Sequence, residues 1–351
     1  MTSVAGQRVV VVGATGLVGR LTLSILEERA FPIERLRLFA SPRSVGKRVR
    51  YQGEEVAIEA VGDDAFDGAD LVFLSVETPL SRVLAPRAVA AGAVVVDDSS
   101  AHRLEAGIPL VVPEVNPYDI GLHRGIIAGP NCCTAQLVVA LAPIQRVNPI
   151  ERLIVDTYQA VSGTGQAALG ELHQQERQIQ QDEPLSPAIY PHPIARNLFP
   201  HVDSFRDDGY TKEEWKMIQE TRKILHLPDL RMSATCVRVP VPIGHSEAIH
   251  LELEHPMSPA EAREVLEAAP GLLVVDDPSR NAYPMPIDAA GRDEVLVGRI
   301  RADLSHPRGL VLWVVGDNLR KGAALNAVQI AEALLPSLGS RDRSPAMAAR
   351  A

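Results

Sequence analysis

The sequence predicts a two-domain α/β protein, with a doubly wound, mostly parallel sheet in its N-terminal part and an α+β domain with a largely antiparallel sheet after it. Two observations support this fold class. In roughly the first 100 residues, apolar runs of strand length alternate with segments of helical periodicity, an order typical of parallel strands joined by crossover helices. Later, apolar runs at 248–253, 294–300 and 310–315 are typical of antiparallel strands.

Composition restricts the class of protein. The chain has 351 residues, enough for two domains, and its 46% hydrophobic and 23% charged residues are ordinary for a globular enzyme. Its net charge of −9 argues against non-specific nucleic-acid binding, and no apolar run approaches the ~20 residues that span a bilayer. Three cysteines, two of them adjacent, fit a reducing compartment. We therefore expect a cytoplasmic protein with small-molecule partners, without a nucleic-acid or membrane partner and without a metal site.

The first element is a strand, a glycine turn and a helix. The β-branched run 8–12 leads into Gly13-Ala14-Thr15-Gly16-Leu17-Val18-Gly19, and residues 20–29 are amphipathic. Glycines at this spacing allow a tight turn and let the backbone approach a pyrophosphate at the helix N-terminus. A simple tight turn is the alternative, but the position between a strand and a helix favours dinucleotide binding by a Rossmann domain.

The end of the second strand predicts which dinucleotide binds. Strand 35–40 is not followed by the acidic residue that usually holds the ribose 2′-hydroxyl of NAD. The segment 41–47 instead supplies hydroxyl groups from Ser41 and Ser44, the guanidinium of Arg43 and the ammonium of Lys47. A solvated basic loop is the alternative, but these groups favour the 2′-phosphate of NADP.

Two further strands, 71–76 and 94–96, flank a helical segment at 79–91. In a parallel sheet, the residues that follow such strands lie at the carboxyl edge, near the cofactor. Arg103, shortly after the second of these strands, is therefore a candidate anion ligand. An ordinary surface arginine is the alternative.

A pair of cysteines stands at a predicted helix start. Gly129-Pro130-Asn131 ends the preceding element, and Cys132 and Cys133 begin a segment that continues into an apolar run at 135–141. The N–H groups of the first turn are expected to point at the thiol region and to favour a thiolate. The alternative is that these are small core residues, and the residues alone do not decide which cysteine faces a cleft.

The second half contributes further candidates. A strand at 153–158 precedes a Gln-rich helix at 167–181, and the proline-rich segment 184–200 predicts an ordered but irregular excursion. Helix 212–225 carries Glu220 and Lys223 on one face, and we expect an exposed, salt-bridged helix there. In the strand region that follows, Arg238 needs a partner or a ligand, and His245 is either a general base or a structural histidine. A helix at 323–335 and a disordered tail at 339–351 complete the chain.

The motifs, taken in order, resemble the aspartate-semialdehyde dehydrogenase family over nearly the whole chain. The stretches that carry the resemblance are GATGLVG, SSAHR, PNCCTAQLVVAL, TYQAVSGTG, GYTKEEWKMIQETRKI, SATCVRVPVPIGHSE and DNLRKGAALNAVQIAE. So many motifs in the same order are far more specific than any one of them.

The resemblance implies a role for each motif residue. Cys132 is implied as the nucleophile, with Cys133 where serine is usual, and His245 as the acid/base residue. Gln159 would orient the intermediate, and the substrate ligands implied are Glu220 for the ammonium, Arg238 for the carboxylate, and Arg103 and Lys223 for the phosphate. The implied cofactor contacts are Gly13, Thr15, Gly16, Leu17, Val18, Ser41, Arg43, Ser44, Ser162, Gly163 and Asn318. Glu77 and His102 depart from the family pattern near the cofactor and the phosphate.

The resemblance also implies an activity and an organisation. Residues 1–131 and 322–351 would form the NADP-binding domain, and residues 132–321 the catalytic and dimerisation domain of a homodimer. The implied reaction is the NADPH-dependent reductive dephosphorylation of L-4-aspartyl phosphate to L-aspartate 4-semialdehyde, in the biosynthesis of lysine through diaminopimelate and of methionine, threonine and isoleucine. The alternatives are an enzyme similar to N-acetylglutamyl-phosphate reductase and a non-catalytic NADP-binding paralogue.

Overall fold

The first sheet is seven-stranded in the computed structural model, which describes residues 6–338. Its strands are β1 (Gln7–Val12), β2 (Ile33–Phe39), β3 (Arg48–Tyr51), β4 (Glu54–Glu59), β5 (Leu71–Leu74), β6 (Val94–Asp97) and β7 (Ile126–Ala128). The order is β3-β4-β2-β1-β5-β6-β7, and all neighbouring pairs are parallel except the β3–β4 hairpin. The predicted doubly wound sheet is confirmed, and the hairpin is an addition that the apolar pattern did not predict.

Helices cover both faces of this sheet. They are α1 (Leu17–Glu28), α2 (Thr78–Ala90) and α8 (Leu325–Leu338). Alternate residues of β1 point to opposite faces, so Val9 and Val11 pack in one core with α1 and α8, while Val10 and Val12 pack in the other core with α2. The C-terminal helix α8 therefore belongs to the N-terminal sheet, and the predicted tail at 339–351 lies outside the described residues.

The second sheet is six-stranded and mixed. Its strands are β8 (Ile150–Gln159), β9 (Arg231–Arg238), β10 (His245–Leu253), β11 (Leu272–Val274), β12 (Val295–Ala302) and β13 (Gly309–Gly316). The order is β11-β12-β13-β10-β8-β9, in which the two outermost pairs are parallel and the three inner pairs are antiparallel. The helices of this part are α3 (Cys132–Val147), α4 (Gln166–Gln180), α5 (Lys212–Ile224), α6 (Pro259–Glu267) and the short α7 (Pro286–Ala289).

The cysteine helix α3 is almost wholly buried. Its apolar side chains share one core with strands β8, β10, β12 and β13, which explains why its sequence is hydrophobic on all sides. This packing fixes the start of α3, and with it Cys132, against the sheet. Within residues 6–338, no helix is long and apolar enough to cross a membrane.

Two predicted segments of the second half had different outcomes. Residues 184–200 contain no helix or strand, as predicted, and the segment is held by buried side chains of α4: Gln175 Oε1 accepts hydrogen bonds from the N–H groups of Ile194 and Ala195.

The prediction of an exposed α5 is wrong, because Glu213, Glu214 and Glu220 are all buried. Each of these carboxylates has hydrogen-bond donors in the protein, which makes its burial possible.

Candidate active site

A cavity of about 800 Å³ lies between the two sheets. Its lining includes the glycine turn, Ser162, Gly163 and Asn318, the start of α3 and residues of α5. The candidate residues that line it are Gly16, Leu17, Val18, Arg103, Cys132, Gln159, Ser162, Gly163, Arg238 and Asn318. The fold therefore gathers residues from most of the chain at one place.

The start of α3 decides which cysteine faces the cavity. Cys132 is partly exposed and lines the cavity, whereas Cys133 is fully buried in the core beneath it. Asn131 caps the helix, since its Oδ1 accepts hydrogen bonds from the N–H groups of Cys133 (2.9 Å) and Thr134 (3.3 Å). The expectation that first-turn N–H groups point at the thiol is therefore wrong for these two, because the side chain of Asn131 occupies them.

The thiolate is favoured by neighbouring side chains instead. The Sγ atoms of Cys132 and Cys133 and a ring nitrogen of His245 all lie within 4.8 Å of one another. The neighbouring thiol of Cys133 contributes most to holding the pKa of Cys132 well below its ordinary value. His245 adds to this effect, against the opposing effects of burial and of the Glu213 charge. Cys132 is thus a partly exposed thiol that ionises readily, as a nucleophile requires.

His245 is held in one tautomer. Its Nδ1 accepts a hydrogen bond of 2.9 Å from the N–H of Ala160, so the proton of the neutral ring is on Nε2. Nε2 faces Gly163, where a β-carbon would lie only 3.3 Å away, and it has no hydrogen-bond partner among the described residues. A ring nitrogen of His245 lies within 4.8 Å of Cys132 Sγ. His245 can therefore donate a proton or a hydrogen bond to a group bound at Cys132.

Two further buried side chains complete this wall. Gln159 Nε2 donates to Glu213 Oε1 (3.0 Å), and its Oε1 accepts a hydrogen bond from Thr157 (3.1 Å). Arg238 is 5% exposed, and its Nη1 donates to the carbonyl of Ala160 at 2.6 Å. Both line the cavity beside Cys132, so an amide and a guanidinium are available to a ligand there.

The three residues implied as phosphate and ammonium ligands are placed differently from one another. Arg103 is only 8% exposed yet lines the cavity, which excludes an ordinary surface arginine. Its Nη1 donates to Glu220 Oε1 at 3.1 Å, and Glu220 itself is 1% exposed and lies behind Arg103. Lys223 Nζ donates to the carbonyls of Arg103 (2.7 Å), Glu105 (3.1 Å) and Ile108 (2.7 Å). Glu220 and Lys223 do not line the cavity in the described structure.

The glycine turn fits a dinucleotide. Gly13 has φ of +88°, and a β-carbon there would lie 2.1 Å from the carbonyl oxygen of Ser75. Gly16 caps α1 without a side-chain hydrogen bond, so the N–H groups of the first turn are open to a pyrophosphate. Thr15 Oγ1 bonds to Ser44 Oγ (3.3 Å), which ties the turn to the loop where Ser41 and Arg43 are exposed. Asn318 bonds to Ser162 (2.9 Å) on the cavity wall.

Several residues of the site were not among the candidates. Asn131, Glu213 and Lys216 line the cavity, and Gly322 lies against Cys132, since a β-carbon on it would be 2.8 Å from Cys132 Cβ. Asn131 stands in the position of a helix cap, which is a local signal that could have identified it. For Glu213, Lys216 and Gly322 no local pattern distinguishes them from ordinary helix residues.

Two family models match the chain. Residues 8–123 match the semialdehyde dehydrogenase NAD binding domain, and residues 141–321 match the semialdehyde dehydrogenase dimerisation domain. The aspartate-semialdehyde dehydrogenase of Aquifex aeolicus is 52% identical over 334 residues, which are 94% of this chain and 98% of that relative. The chain belongs to the aspartate-semialdehyde dehydrogenase family.

Other members of the aspartate-semialdehyde dehydrogenase family agree with this assignment. The protein from Bacillus subtilis is 48% identical over 94% of this chain and 97% of its own. Aspartate semialdehyde dehydrogenase II of Vibrio cholerae, solved in complex with ASA, is 45% identical with a TM-score of 0.91, covering 94% of this chain and 98% of that one. The Candida albicans enzyme, solved with NADP, is 27% identical with a TM-score of 0.73 and the same two coverages. These matches confirm the predicted fold class and the prediction that the chain is a nicotinamide-dependent oxidoreductase. They do not favour the alternative of an enzyme similar to N-acetylglutamyl-phosphate reductase.

Proposed function

We propose that this chain catalyses the NADPH-dependent reductive dephosphorylation of L-4-aspartyl phosphate to L-aspartate 4-semialdehyde through a thioester on Cys132. The observation that carries the proposal is the position of Cys132, which is partly exposed on the wall of a cavity that reaches the glycine turn and has a ring nitrogen of His245 within 4.8 Å of its sulfur. An acyl group on this sulfur is within reach of both a proton donor and the cofactor domain.

The covalent chemistry starts at Cys132. Its thiolate attacks the acyl carbon of aspartyl phosphate, the carbon–sulfur bond forms, and the carbon–oxygen bond to phosphate breaks as phosphate leaves with the electron pair. Bound NADPH supplies the hydride that reduces the thioester carbon. The Nε2–H of His245 stabilises the resulting oxyanion, and Gln159 orients the acyl group. Collapse of the tetrahedral species breaks the carbon–sulfur bond, releases the aldehyde and restores the thiolate.

The substrate carries charges that match the cavity. Arg238 would bind the α-carboxylate, a role that suits a guanidinium. The ion pair between Arg103 and Glu220 must separate when the substrate binds. Arg103 would then bind the phosphate and Glu220 the α-ammonium. Lys223 would join Arg103 at the phosphate by exchanging backbone carbonyls for phosphate oxygens. Substrate binding is thus an exchange of partners among charges that are buried, as in Arg103, Glu220 and Arg238, or partly buried, as in Lys223.

The cofactor is NADP(H), held by the glycine turn and by the loop that contains Ser41, Arg43 and Ser44. Residues 1–131 and 322–351 would form the cofactor domain, and residues 132–321 the catalytic domain of a cytoplasmic homodimer. The product would serve the biosynthesis of lysine through diaminopimelate and of methionine, threonine and isoleucine.

One assay tests the proposal. The purified protein is given NADP and phosphate with either aspartate semialdehyde or N-acetylglutamate semialdehyde, and NADPH formation is followed. We expect turnover only with aspartate semialdehyde, and none in Cys132→Ala, which should still bind NADPH. Mass spectrometry should find the trapped acyl group on Cys132. An acyl group on Cys133, or NADPH binding without any turnover by the wild type, would contradict the proposal.

A further inference from the structure

Helix α5 holds the residue that precedes the nucleophile. Glu213 and Glu220 are seven residues apart, or about two turns, so they lie on one face of the helix. Both bind Asn131: Glu213 Oε1 accepts a hydrogen bond of 2.7 Å from the side-chain Nδ2, and Glu220 Oε2 accepts one of 2.6 Å from the backbone N–H. Side chain and main chain of the cap residue are therefore both fixed from α5.

Glu213 also determines how Gln159 is oriented. Its Oε1 accepts a second hydrogen bond, from Gln159 Nε2 at 3.0 Å, while Thr157 Oγ1 donates to Gln159 Oε1 at 3.1 Å. The carboxylate of Glu213 can only accept, so it requires the NH₂ end of the Gln159 amide on its side, and the Thr157 hydroxyl then donates to the other end. Asn131 is fixed in the same way, because its Oδ1 accepts from the helix N–H groups and its Nδ2 donates to Glu213.

Glu213 is able to remain a carboxylate although it is 6% exposed. Lys216 Nζ donates to Glu213 Oε2 (3.2 Å) and to Asp203 Oδ2 (2.7 Å), and Lys216 lies on the cavity wall. Burial opposes ionisation of Glu213, but Lys216 and the two amide donors outweigh it and hold the pKa of Glu213 below its ordinary value. The charge of Glu213 also raises the pKa of Cys132, so Glu213 does not activate the thiol.

We propose that Glu213 is a positioning residue of this active site: through Gln159 and Asn131 it holds the oriented amide and the start of the nucleophile helix in their reactive arrangement. The inference rests on the proposed function, because it concerns the geometry of the reaction at Cys132. It assigns a role to a residue on the face of α5 that the sequence suggested was solvated.

The chain offers a matched control in the neighbouring Glu214. Glu214 is also buried on α5, but its Oε2 accepts from the backbone N–H of Thr211 (2.6 Å) and its Oε1 from that of Cys236 (3.0 Å), away from the cavity. Glu213→Gln and Glu214→Gln each replace one carboxylate oxygen by an NH₂ group in similar surroundings. They therefore separate a general loss of stability from a change at the site.

The experiment compares kcat, KM for NADP, Tm and the pH profile of Cys132 alkylation by iodoacetamide in the two variants. In Glu213→Gln we expect kcat to fall roughly ten- to a hundredfold, as for the loss of a charge-assisted hydrogen bond, with KM for NADP unchanged. Its alkylation profile should move to lower pH, because a negative charge near the thiol is removed. Glu214→Gln should lower Tm, with kcat within about threefold of the wild type and no shift of the profile.

If Glu213→Gln lowers kcat and also lowers the pH at which Cys132 is alkylated, Glu213 positions the reacting groups and does not activate the thiol. If both variants lose kcat in parallel with Tm, Glu213 is only structural and the inference is wrong. Should Glu213→Gln not fold, Thr157→Val removes the other anchor of Gln159 without touching α5 and should lower kcat about threefold to tenfold; an unchanged kcat there also overturns the inference. A wild type that is inactive with aspartate semialdehyde would instead contradict the proposed function.

Discussion

Cys133 tests how this protein makes its nucleophile reactive. Its Sγ lies within 4.8 Å of Cys132 Sγ, its thiol is the donor that contributes most to the lowered pKa of Cys132, and it is fully buried at the second position of α3. Cys133→Ala removes this donor, whereas Cys133→Ser retains one. The two variants thus differ in the hydrogen bond more than in the size of the side chain.

A hydrogen bond to a charged group contributes about 1.5 to 3 kcal/mol. Its loss should therefore reduce the thiolate population roughly ten- to a hundredfold at a pH below the midpoint of the ionisation. We expect the alkylation rate of Cys132 in Cys133→Ala to fall by this factor at such a pH. The serine variant should stay close to the wild type and retain most of its activity.

Iodoacetamide alkylation over a pH series, followed by mass spectrometry of the Cys132 peptide, measures this effect. Cys236→Ala is the packing control, because Cys236 is another fully buried cysteine, whose Sγ lies 3.6 Å from the sulfur of Met217. The reasoning is refuted if Cys133→Ala has the wild-type profile, or if Cys236→Ala shifts the profile as much.

Three further predictions concern charges around the cavity. Arg43→Ala should raise KM for NADP far more than KM for NAD in steady-state assays, because the proposed role of Arg43 is to bind the 2′-phosphate; equal losses would show another role. Arg103→Leu should raise KM for phosphate roughly ten- to a hundredfold, and Arg103→Lys should recover part of the loss, because the fork geometry of the guanidinium is not restored. An unchanged KM would mean that Arg103 does not bind phosphate. Burial raises the pKa of Asp98 to about 7, partly offset by a hydrogen bond from Ser75. Between about pH 4 and pH 7 the folded protein therefore holds a proton that the unfolded chain has lost. The stability that this proton contributes is present at about pH 4 and is lost as the pH rises to about 7. Thermal unfolding from pH 5 to pH 8 should therefore show Asp98→Asn gaining about 1 to 3 kcal/mol over the wild type, a value discounted for the partial exposure of the side chain; a constant difference would contradict this assignment.

Local patterns predicted the parts of the fold that depend on neighbours in sequence. The strand, glycine turn and helix at residues 7–28 and the helix that starts at Cys132 were recognised because apolar runs, glycines and a helix stop lie within a few residues of one another. The β3–β4 hairpin was missed, since its strands are short and carry mostly partly or fully exposed residues at the sheet edge, so they lack an apolar alternation.

The hydrogen bonds and ion pairs of the site join residues that are far apart in the sequence, so local patterns did not predict them. Asn131 is 82 residues from Glu213 and 89 from Glu220, and Arg103 is 117 from Glu220. A helix that carries several acidic and basic residues resembles a solvated helix until such partners are known, which is why α5 was assigned to the surface. The capping role of Asn131 does have a local signal, because asparagine is a favoured residue immediately before a helix.

The contact between Gly322 and Cys132 has a consequence for how this protein can be divided. The chain enters α3 at Asn131 and leaves the second sheet through the π-helix Arg320–Ala324, and both segments meet at Cys132. The segment after Gly322 continues into α8, which completes the core of the first sheet. Neither half of the molecule therefore contains a whole reactive centre, and separately expressed halves should regain turnover only by reassociating into one two-domain unit.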